Sequence, residues 1–207
     1  MDTVKKLAVP LSYEDVASLK IGDVVYISGG IFTGRSGFYH KYIDERCPFP
    51  LDKTQNNVML HSGPVIKVEG ENRYKVQAIS ITTSVRFNTW EPRVIEELGL
   101  RAIIAKGRVG KETREAMQRF GCVHLSRTGT FAGAFALKVK EIKNVFWLDL
   151  GLPEALWLLD FNELGPLVVE TDIYGNSVYD SVQNDFESKL ATYYERLGIS
   201  GFEYAEK

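Results

Sequence analysis

The fold of this chain is decided by residues 82–107, which read TTSVRFNTWEPRVIEELGLRAIIAKG. The first five residues form a tight loop, followed by a helix-sized stretch at 89–98 and a short apolar run at 102–105. This is the length of one loop–helix–strand unit of an α/β protein. Such a unit brings Arg86 and Lys106, which lie 20 residues apart, back to the same edge of a sheet.

The side chains at this edge suit a small anion. Arg86 offers a planar fork of donors matched to a carboxylate, and Lys106 offers a compact charge. The hydroxyls of Thr82 and Thr83 could hydrogen-bond to the bound group or exchange a proton with it. Gly107 follows the lysine and would let a ligand approach the backbone. The pattern therefore favours a site for a carboxylic acid.

Simpler explanations exist for part of this pattern. Threonine hydroxyls often satisfy the backbone of a turn, and Thr82 and Thr83 could do no more than that. Arg86 could instead cap a helix or pair with Glu91. Lys106 is harder to explain in this way, because it ends an apolar strand, and ligands bind at such strand ends in open α/β sheets. The lysine is thus the feature that most favours a ligand site.

A second cationic candidate, Arg35, lies in the glycine-rich segment 29–37, between a predicted strand and a predicted helix. Backbone amides at a helix start bind anions, and an arginine adds charge there. The alternative is an exposed arginine on a flexible loop. His40, five residues further on, could orient this loop. The glycine spacing matches neither a Walker loop nor the GxGxxG dinucleotide pattern.

The composition is that of an ordinary soluble globular protein, with 207 residues, 44% of them hydrophobic and 25% charged. A net charge of −2 supplies no basic field for nucleic acid or anionic membranes. No apolar stretch approaches the ~20 residues of a membrane span, and the N-terminus lacks the apolar core of a secretory signal. We therefore expect a cytoplasmic protein.

The potential metal ligands are sparse. Cys47 and Cys122 lack the close spacing of a zinc or iron–sulfur site, and we expect free thiols in a reducing compartment. His40, His61 and His124 are too scattered to form a recognisable metal-binding pair. His124 lies in an apolar strand and is predicted to be a hydrogen-bonded core residue. This chain alone is therefore not expected to hold a metal cluster.

The order of predicted elements indicates an α/β fold with a mixed sheet, in a single domain that covers residues 1–207. Strands alternate with helices in the centre and predominate at the flanks, where antiparallel pairing is expected. The end of the chain, 181–207, is interpreted as a C-terminal helical extension. Predicted helices cover 38–46, 89–98, 111–120 and 183–197, predicted strands cover 4–9, 24–28, 58–61, 65–68, 74–79, 102–105, 122–125, 139–147, 156–161 and 167–171, and a small-residue loop is predicted at 126–134.

Seven short motifs occur along about residues 10–180. They are residues 19–26 (LKIGDVVY), Thr33-Gly34-Arg35 with His40, His61-Ser62-Gly63-Pro64, residues 82–86 (TTSVR), Ala105-Lys106-Gly107, residues 150–157 (LGLPEALW) and Gly165-Pro166-Leu167. Each is weak alone. In this order, and with the spacing of Arg86 and Lys106 kept, they resemble the β subunit or C-terminal domain of the iron–sulfur hydro-lyases, namely class I fumarase and L-tartrate dehydratase.

The resemblance implies a swivelling β/β/α domain that closes over a second chain in a hetero-oligomer. That partner, an α subunit, would hold a [4Fe-4S] cluster with one iron not bound by cysteine. The free iron would act as a Lewis acid on the hydroxyl and a carboxylate of a small dicarboxylate substrate. The β chain would contribute the remainder of the pocket.

The resemblance also implies roles for five residues. Arg35, Arg86 and Lys106 would bind the substrate carboxylates, and Thr83 would be a further substrate contact. Thr82 would transfer a proton at the carbon next to a carboxylate. A threonine hydroxyl is a poor base by itself, so Arg86 and Lys106 would have to stabilise its alkoxide in a pocket closed to water. Thr82 and Lys106 are therefore the catalytic candidates.

The chain departs from the family pattern at two positions. Ile81 precedes the paired threonines where the family usually has proline, which changes the expected rigidity of the loop. Ser36 follows Arg35 where the family often has aspartate, which removes a charge beside the pocket. The second departure leaves the choice of substrate open.

Our first hypothesis is the β subunit of a fumarate hydratase, which adds water to fumarate to give L-malate and catalyses the reverse. L-Tartrate dehydration to oxaloacetate is the close alternative, because the anchors for two carboxylates would be shared. Two alternatives of other kinds stay open. One is a non-catalytic anion-binding module on the same fold. The other is a structural subunit that completes a partner through an exposed apolar patch formed by Trp147, Leu150, Leu152, Trp157 and Leu158.

Overall fold

Two sheets and six α-helices make up residues 4–127 and 132–199, the part of the chain described by a computed structural model. The strands are β1 (Val4–Ala8), β2 (Val24–Thr33), β3 (Val58–Leu60), β4 (Val65–Gly70), β5 (Arg73–Ala78), β6 (Ala102–Ala105), β7 (Val123–Ser126), β8 (Val139–Phe146) and β9 (Leu156–Thr171). The α-helices are α1 (Tyr13–Ala17), α2 (Ser36–Tyr39), α3 (Glu91–Leu98), α4 (Lys111–Phe120), α5 (Ala132–Ala136) and α6 (Val178–Leu197). A π-helical turn, His40–Asp44, continues α2, and 3-10 turns occur at Ser84–Phe87 and Leu148–Leu150.

Seven of the strands form one mixed sheet that closes on itself. Their order is β1-β2-β3-β6-β7-β9-β8, and β9 pairs with β2 as well as with β7. Parallel ladders join β2 to β3, β3 to β6 and β6 to β7, whereas β9 runs antiparallel to both β2 and β7. Five strands therefore form a closed ring, with β1 and β8 attached outside it. β4 and β5 form a separate hairpin.

The centre of the sheet is apolar on both faces, as expected for buried parallel strands. Every residue of β3 and β6 is buried. The helices α3 and α4 each bury one apolar stripe and pack against one another. Each of these two helices ends at a glycine in the left-handed conformation, which a residue with a Cβ adopts less readily. The 3-10 turn Ser84–Phe87 lies directly before α3 in the chain, and the packing of α3 fixes its position.

The α/β class, the mixed sheet and the single-domain architecture are confirmed. The hairpin, the helix at Lys111–Phe120 and the strand at Ala102–Ala105 also lie where the sequence predicts them. The predicted helix at 38–46 is helical from Ser36 to Asp44, with π-helical geometry in its second half that the sequence pattern did not indicate.

Two predictions about strands are wrong, because paired backbone tolerates glycine and proline that interrupt the sequence pattern. The glycine-rich segment 29–37 is not all loop, since β2 continues to Thr33 and Gly29 and Gly30 pair with β9. The strands predicted at 156–161 and 167–171 are one continuous strand, β9. Only a short connection therefore separates β2 from α2, and Arg35 lies in it.

The C-terminal part of the chain also differs in detail from the prediction. α6 begins at Val178, five residues before the predicted start of that helix, and extends to Leu197. Residues 200–207 of the predicted extension lie outside the described residues. α5 was not predicted; it begins in the loop predicted at 126–134 and extends beyond it to Ala136. Residues 128–131 of that loop are also outside the described residues. Within residues 4–127 and 132–199, no helix is long and apolar enough to cross a membrane.

Two of the five residues in the apolar patch proposed for a purely structural subunit, Trp157 and Leu158, are buried. Trp157 is fully buried, and Leu158 is 9% exposed. Both residues belong to β9, which is covered on its two edges by β2 and β8. The Trp157 indole N–H also donates to the carbonyl of Leu152 at 2.8 Å. Trp157 and Leu158 therefore stabilise the core of this chain, whereas Trp147, Leu150 and Leu152 are half-buried.

Candidate active site

The predicted site residues lie at one edge of the sheet, where three neighbouring parallel strands end. Arg35 follows the end of β2, His61 follows the end of β3, and Lys106 follows the end of β6. Because β2, β3 and β6 are adjacent and parallel, their carboxyl ends meet at the same edge. Ligands of α/β proteins bind at the carboxyl ends of the parallel strands, in open sheets and in closed barrels alike.

Backbone hydrogen bonds attach the threonine pair to this edge. The amide of Thr82 donates to the carbonyl of His61 at 2.6 Å, and the amide of Lys106 donates to the carbonyl of Thr82 at 3.2 Å. Thr83 forms a parallel bridge with Lys106. Ser84 donates from its amide to the Lys106 carbonyl at 3.2 Å. Thr82, Thr83 and Lys106 are therefore neighbours in space, although 23 residues separate Thr83 from Lys106 in the sequence.

Gly107 allows this close approach. Its φ is +75°, and a Cβ at this position would lie 3.2 Å from the Cγ2 atom of Thr83. A larger residue would be strained by the backbone conformation and would press on the Thr83 side chain. Gly107, which the sequence predicted as a point of ligand approach, therefore also allows Thr83 to pack beside Lys106.

Arg35 is held against the same edge by Gly63 and Glu154. A Cβ built on Gly63 would lie 2.5 Å from Arg35 Nη1 and 2.5 Å from the Pro153 carbonyl oxygen. Arg35 Nη1 lies 3.3 Å from Glu154 Oε1, and Glu154 Oε2 accepts a hydrogen bond from the Gly37 amide at 2.9 Å. Arg35 Nε is buried without a hydrogen-bond partner among the described residues. The guanidinium is therefore oriented by one carboxylate and retains unused donor capacity.

Arg86 and Lys106 differ from Arg35 in having no counter-ion in the part of the chain that the structure describes. Arg86 is an exposed residue of the 3-10 turn Ser84–Phe87, and Lys106 is half-buried. Neither side chain forms a salt bridge or hydrogen bond to any residue that the structure describes. The suggested pairing of Arg86 with Glu91 is wrong, because Glu91 is fully buried and accepts from Ser84 instead. These two cations are therefore available to an external anion.

A buried polar network, formed by Tyr39, His61, Ser84 and Glu91, lies directly beneath the threonine loop. His61 Nε2 is 2.8 Å from the Tyr39 hydroxyl, and His61 Nδ1 is 3.4 Å from Ser84 Oγ. Ser84 Oγ donates to Glu91 Oε1 at 2.5 Å. All four residues are inaccessible to solvent, and Glu91 Oε2 has no hydrogen-bond partner among the described residues.

Burial favours the neutral form of the three ionisable members of this network, Tyr39, His61 and Glu91. It lowers the pKa of His61 from 6.5 to about 3, and the field of His124 adds to this shift. It raises the pKa of Glu91 from 4.5 to about 7, in opposition to the nearby Ser84 and Thr113 hydroxyls, which favour the charged form. Near neutral pH the imidazole is therefore uncharged, and the carboxyl group lies at its titration point.

The remaining histidines and cysteines lie outside the site. His40 Nδ1 contacts Asp44 at 2.6 Å on the surface, so its predicted role in orienting the Arg35 loop has no contact to support it in the described residues. His124 is a core residue as predicted, with Nδ1 2.9 Å from Glu170 Oε2, although its Nε2 has no partner among the described residues. Cys47 and Cys122 are both free thiols.

Two features of the site were missed by reasoning from the sequence. Glu154 lies in the motif at residues 150–157 but offers no local sign that it would orient an arginine 119 residues earlier. Glu91 stands in the first turn of a helix, a position where acidic residues are normally solvated and favoured by the dipole. His61 was indicated only by its place in the motif His61-Ser62-Gly63-Pro64.

The tight fit of Arg35 over Gly63 makes a testable prediction. Gly63→Ala is expected to displace the guanidinium and the Pro153 carbonyl, and so to lower the free energy of unfolding by about 1–3 kcal/mol. Denaturant unfolding of the full chain measures this loss. Gly133→Ala is the matched control, because a Cβ at Gly133 meets no atom within 4 Å. Equal stability of the two variants would contradict the close packing at Gly63.

The sequence of this chain is similar to that of proteins in one known family. A family profile described as Fumarase C-terminus matches residues 2–182, which leaves most of α6 outside the match. Over 186 residues the chain is 38% identical to a Methanocaldococcus jannaschii protein named "Putative L(+)-tartrate dehydratase subunit beta", covering 87% of this chain and 93% of the relative. It is 33% identical over 174 residues to the Escherichia coli "L(+)-tartrate dehydratase subunit beta", covering 84% of this chain and 86% of the relative.

A third relative has a different name and a greater length. A Geobacillus stearothermophilus protein named "Putative fumarate hydratase class I" is 31% identical over 189 residues, covering 91% of this chain and 36% of the relative. The names of these relatives are those of hydro-lyases and of their subunits. The family profile matches most of the chain, and this chain therefore belongs to the fumarase C-terminus family, which includes the β subunits of L(+)-tartrate dehydratase.

Proposed function

We propose that this chain is the β subunit of a two-component hydro-lyase that acts on a small dicarboxylate, with fumarate hydration to L-malate and its reverse as the first candidate reaction. The observation that supports this proposal most strongly is the interlocking of Thr82, Thr83 and Lys106 at the ligand-binding edge of the sheet. Arg35, oriented by Glu154, lies at the end of a neighbouring strand. Two cationic side chains, Arg86 and Lys106, have no internal counter-ion in the described part of the chain.

Each residue has a distinct task in the proposed reaction. The guanidinium groups of Arg35 and Arg86 offer planar donors to the two carboxylates of the substrate, and Lys106 offers a point charge. Thr82 Oγ1 transfers the proton at the carbon next to one carboxylate. Lys106 and Arg86 favour the alkoxide form of Thr82 and offset the negative charge that develops on the substrate. Thr83, bridged to Lys106, provides a further contact to the substrate.

We propose that the partner α subunit, rather than this chain, holds a [4Fe-4S] cluster. In the described residues no group of three or more His, Cys, Asp or Glu side chains is placed to hold a metal ion. Cys122 is fully buried, and burial raises the pKa of its thiol, which disfavours the thiolate that a metal requires. When bound, the cluster would supply a Lewis acid for the substrate hydroxyl.

L-Tartrate dehydration is the second candidate reaction. Two relatives that match most of this chain carry the name of an L(+)-tartrate dehydratase subunit beta. The same cationic side chains could bind the carboxylates of either acid. Ser36, adjacent to Arg35, is the position where this chain departs from the family pattern with a change of charge. The choice between the two acids therefore depends on measurement.

The experiment that tests the proposal uses this chain reconstituted anaerobically with its α subunit. Hydration of fumarate and dehydration of L-tartrate are measured with the same preparation, and we expect the larger kcat/KM with fumarate. A larger kcat/KM with L-tartrate would replace the first candidate with the second. Turnover of neither acid would reject this class of substrate.

The isolated chain provides the control for a non-catalytic role. We expect this chain alone to be inactive with both acids, because the proposed Lewis acid belongs to the partner. If the chain alone binds a dicarboxylate tightly, and Lys106→Ala abolishes that binding while the complex shows no turnover, then the protein is an anion-binding module. This result would leave the fold and the site in place but would remove the enzymatic function.

A further inference from the structure

The turn that carries Arg86 is anchored from beneath by buried side chains. Ser84 Oγ, at the start of the turn, donates to Glu91 Oε1 at 2.5 Å. The ring of Phe87, at its end, stacks on Tyr39 with centroids 4.9 Å apart and planes 25° apart. The rings of His61 and Phe87 make an edge-to-face contact, with their centroids 4.8 Å apart. Arg86 is exposed, but the turn that carries it is fixed to the core at both ends, by Ser84 and Phe87.

Backbone hydrogen bonds connect His61 and Ser84 to the other residues of the site. The carbonyl of His61 accepts the hydrogen bond from the Thr82 amide, and the Ser84 amide donates to the carbonyl of Lys106. A shift of Ser84 or of the His61 ring would thus be transmitted to the threonine and lysine as well as to Arg86. The buried network positions the candidate active site as one unit.

The carboxyl group of Glu91 has an unusual environment for a charged group. One oxygen accepts from Ser84, and the other has no hydrogen-bond partner among the described residues. The ionisable groups that face it are His61 at 3.7 Å, and Tyr39 and Cys122, whose titration it influences. None of these supplies a positive charge near neutral pH. An ionised carboxylate would be costly here, because the group is fully buried and no cation among the described residues compensates its charge.

We propose that Glu91 is a positioning residue which, as an uncharged carboxylic acid, holds Ser84 and His61 and so fixes the turn Ser84–Phe87 in the geometry that binds a dicarboxylate. Ionisation of Glu91 favours hydration of its carboxylate over burial. This change loosens the turn and weakens binding through Arg86. A pKa of about 7 places this change in the neutral range. Only the effect on binding rests on the proposed function, whereas the effect on the turn does not.

The first test measures hydrogen exchange of the turn in the full chain, without any turnover. After correction for intrinsic exchange, we expect protection of the turn in the wild type to fall about tenfold between about pH 6 and pH 8.5. Glu91→Gln, which mimics the uncharged acid, is expected to change by less than about twofold over the same range. Glu96→Gln, on the exposed side of α3, is the matched control and is expected to behave like the wild type.

Two results would overturn the proposal. A fall in Glu91→Gln equal to that of the wild type would show that another group titrates. Loss of protection in Glu91→Gln already at about pH 6 would show that the carboxyl group itself, not its uncharged form, is required. If Glu91→Gln does not fold, Ser84→Ala serves in its place. It removes the contact to the turn, so persistence of the pH-dependent change in that variant would also reject the proposed connection.

Equilibrium unfolding of the full chain gives a second measurement with a defined sign. The pKa of Glu91 is raised in the folded state, so its proton contributes stability at low pH that is lost as the pH rises through about 7. His61 has the opposite sign, because its lowered pKa contributes stability above about pH 6.5 that is lost on acidification. We therefore expect the wild type to lose stability relative to Glu91→Gln as the pH rises, and a constant difference would contradict the assignment.

The reconstituted complex tests the consequence for substrate. The wild type is expected to show a KM that rises about tenfold above pH 7 with a smaller change in kcat, and Glu91→Gln a KM independent of pH. A role in folding alone would not produce this difference between KM and kcat. If the complex turns over no dicarboxylate, the proposed function fails, and hydrogen exchange still decides the role of Glu91.

Discussion

Thr82→Val in the reconstituted complex is expected to lower kcat by about a hundredfold to ten-thousandfold, the usual contribution of a group that transfers a proton in the transition state. Valine has the shape of threonine without the hydroxyl, and the backbone bonds of Thr82 to His61 and Lys106 do not involve the side chain. The loop should therefore keep its position. KM should change little, because the charged groups that bind the carboxylates are retained. Steady-state kinetics with fumarate and L-tartrate measures both constants.

Two further variants sharpen this prediction. Thr82→Ser keeps a hydroxyl at the same position and is expected to retain turnover within about tenfold of the wild type. Thr89→Val removes a threonine hydroxyl from an exposed position seven residues further on and is expected to be neutral. If Thr82→Val turned over substrate as fast as Thr89→Val, the proton would have to be transferred by another residue, or by the partner.

Lys106→Met should produce the second large effect, on kcat/KM. Removing one charge-assisted hydrogen bond to the substrate costs about 1.5–3 kcal/mol, which is roughly a tenfold to hundredfold loss. Methionine retains most of the length of the side chain, and the bridge from Lys106 to Thr83 is made by the backbone. The loss can therefore be attributed to the charge. Lys106→Arg is not expected to restore activity, because the arginine fork is larger and planar.

The control for this substitution is Lys111→Met. Lys111 is an exposed lysine of α4, 3.9 Å from Glu115, and an isolated surface pair of this kind contributes about 0–1 kcal/mol to stability. Its removal should leave kcat/KM unchanged. Wild-type turnover in Lys106→Met, and likewise in Arg86→Ala, would show that these cations do not contact the substrate, and the site would have to be sought elsewhere on the chain.

The unit formed by residues 82–107 could be predicted because every signal in it is local. Each feature is indicated by residues that lie close together in the sequence. These features are an apolar strand, an amphipathic helix with Pro92 in its first turn, and a glycine after the helix. The length of the unit then places the ends of the loop and the strand side by side. The structure agrees, since Thr83 and Lys106 form a bridge. Two of the seven motifs that carry the resemblance to the hydro-lyases lie in this unit, and the resemblance is confirmed by the family match.

The closure of the sheet could not be predicted in the same way. β2 and β9 pair antiparallel, with Val24 opposite Val168, and no short-range pattern specifies a partner so far along the chain. The irregular sequence of β9, with Gly165-Pro166 in its middle, even indicated two strands. The burial of Glu91 could not be predicted from the sequence for a related reason. Its environment is made by Tyr39, His61 and Ser84, which the fold brings together from three separate segments.

The closed ring of β2, β3, β6, β7 and β9 limits how a substrate can enter. Strands in an open sheet can shear at an edge, but each strand of this ring is hydrogen-bonded on both sides. The strand ends that carry Arg35, His61 and Lys106 therefore keep a constant spacing. If the proposed function holds, the site on this chain would admit a dicarboxylate through movement of the whole domain relative to its partner, not through separation of these strand ends.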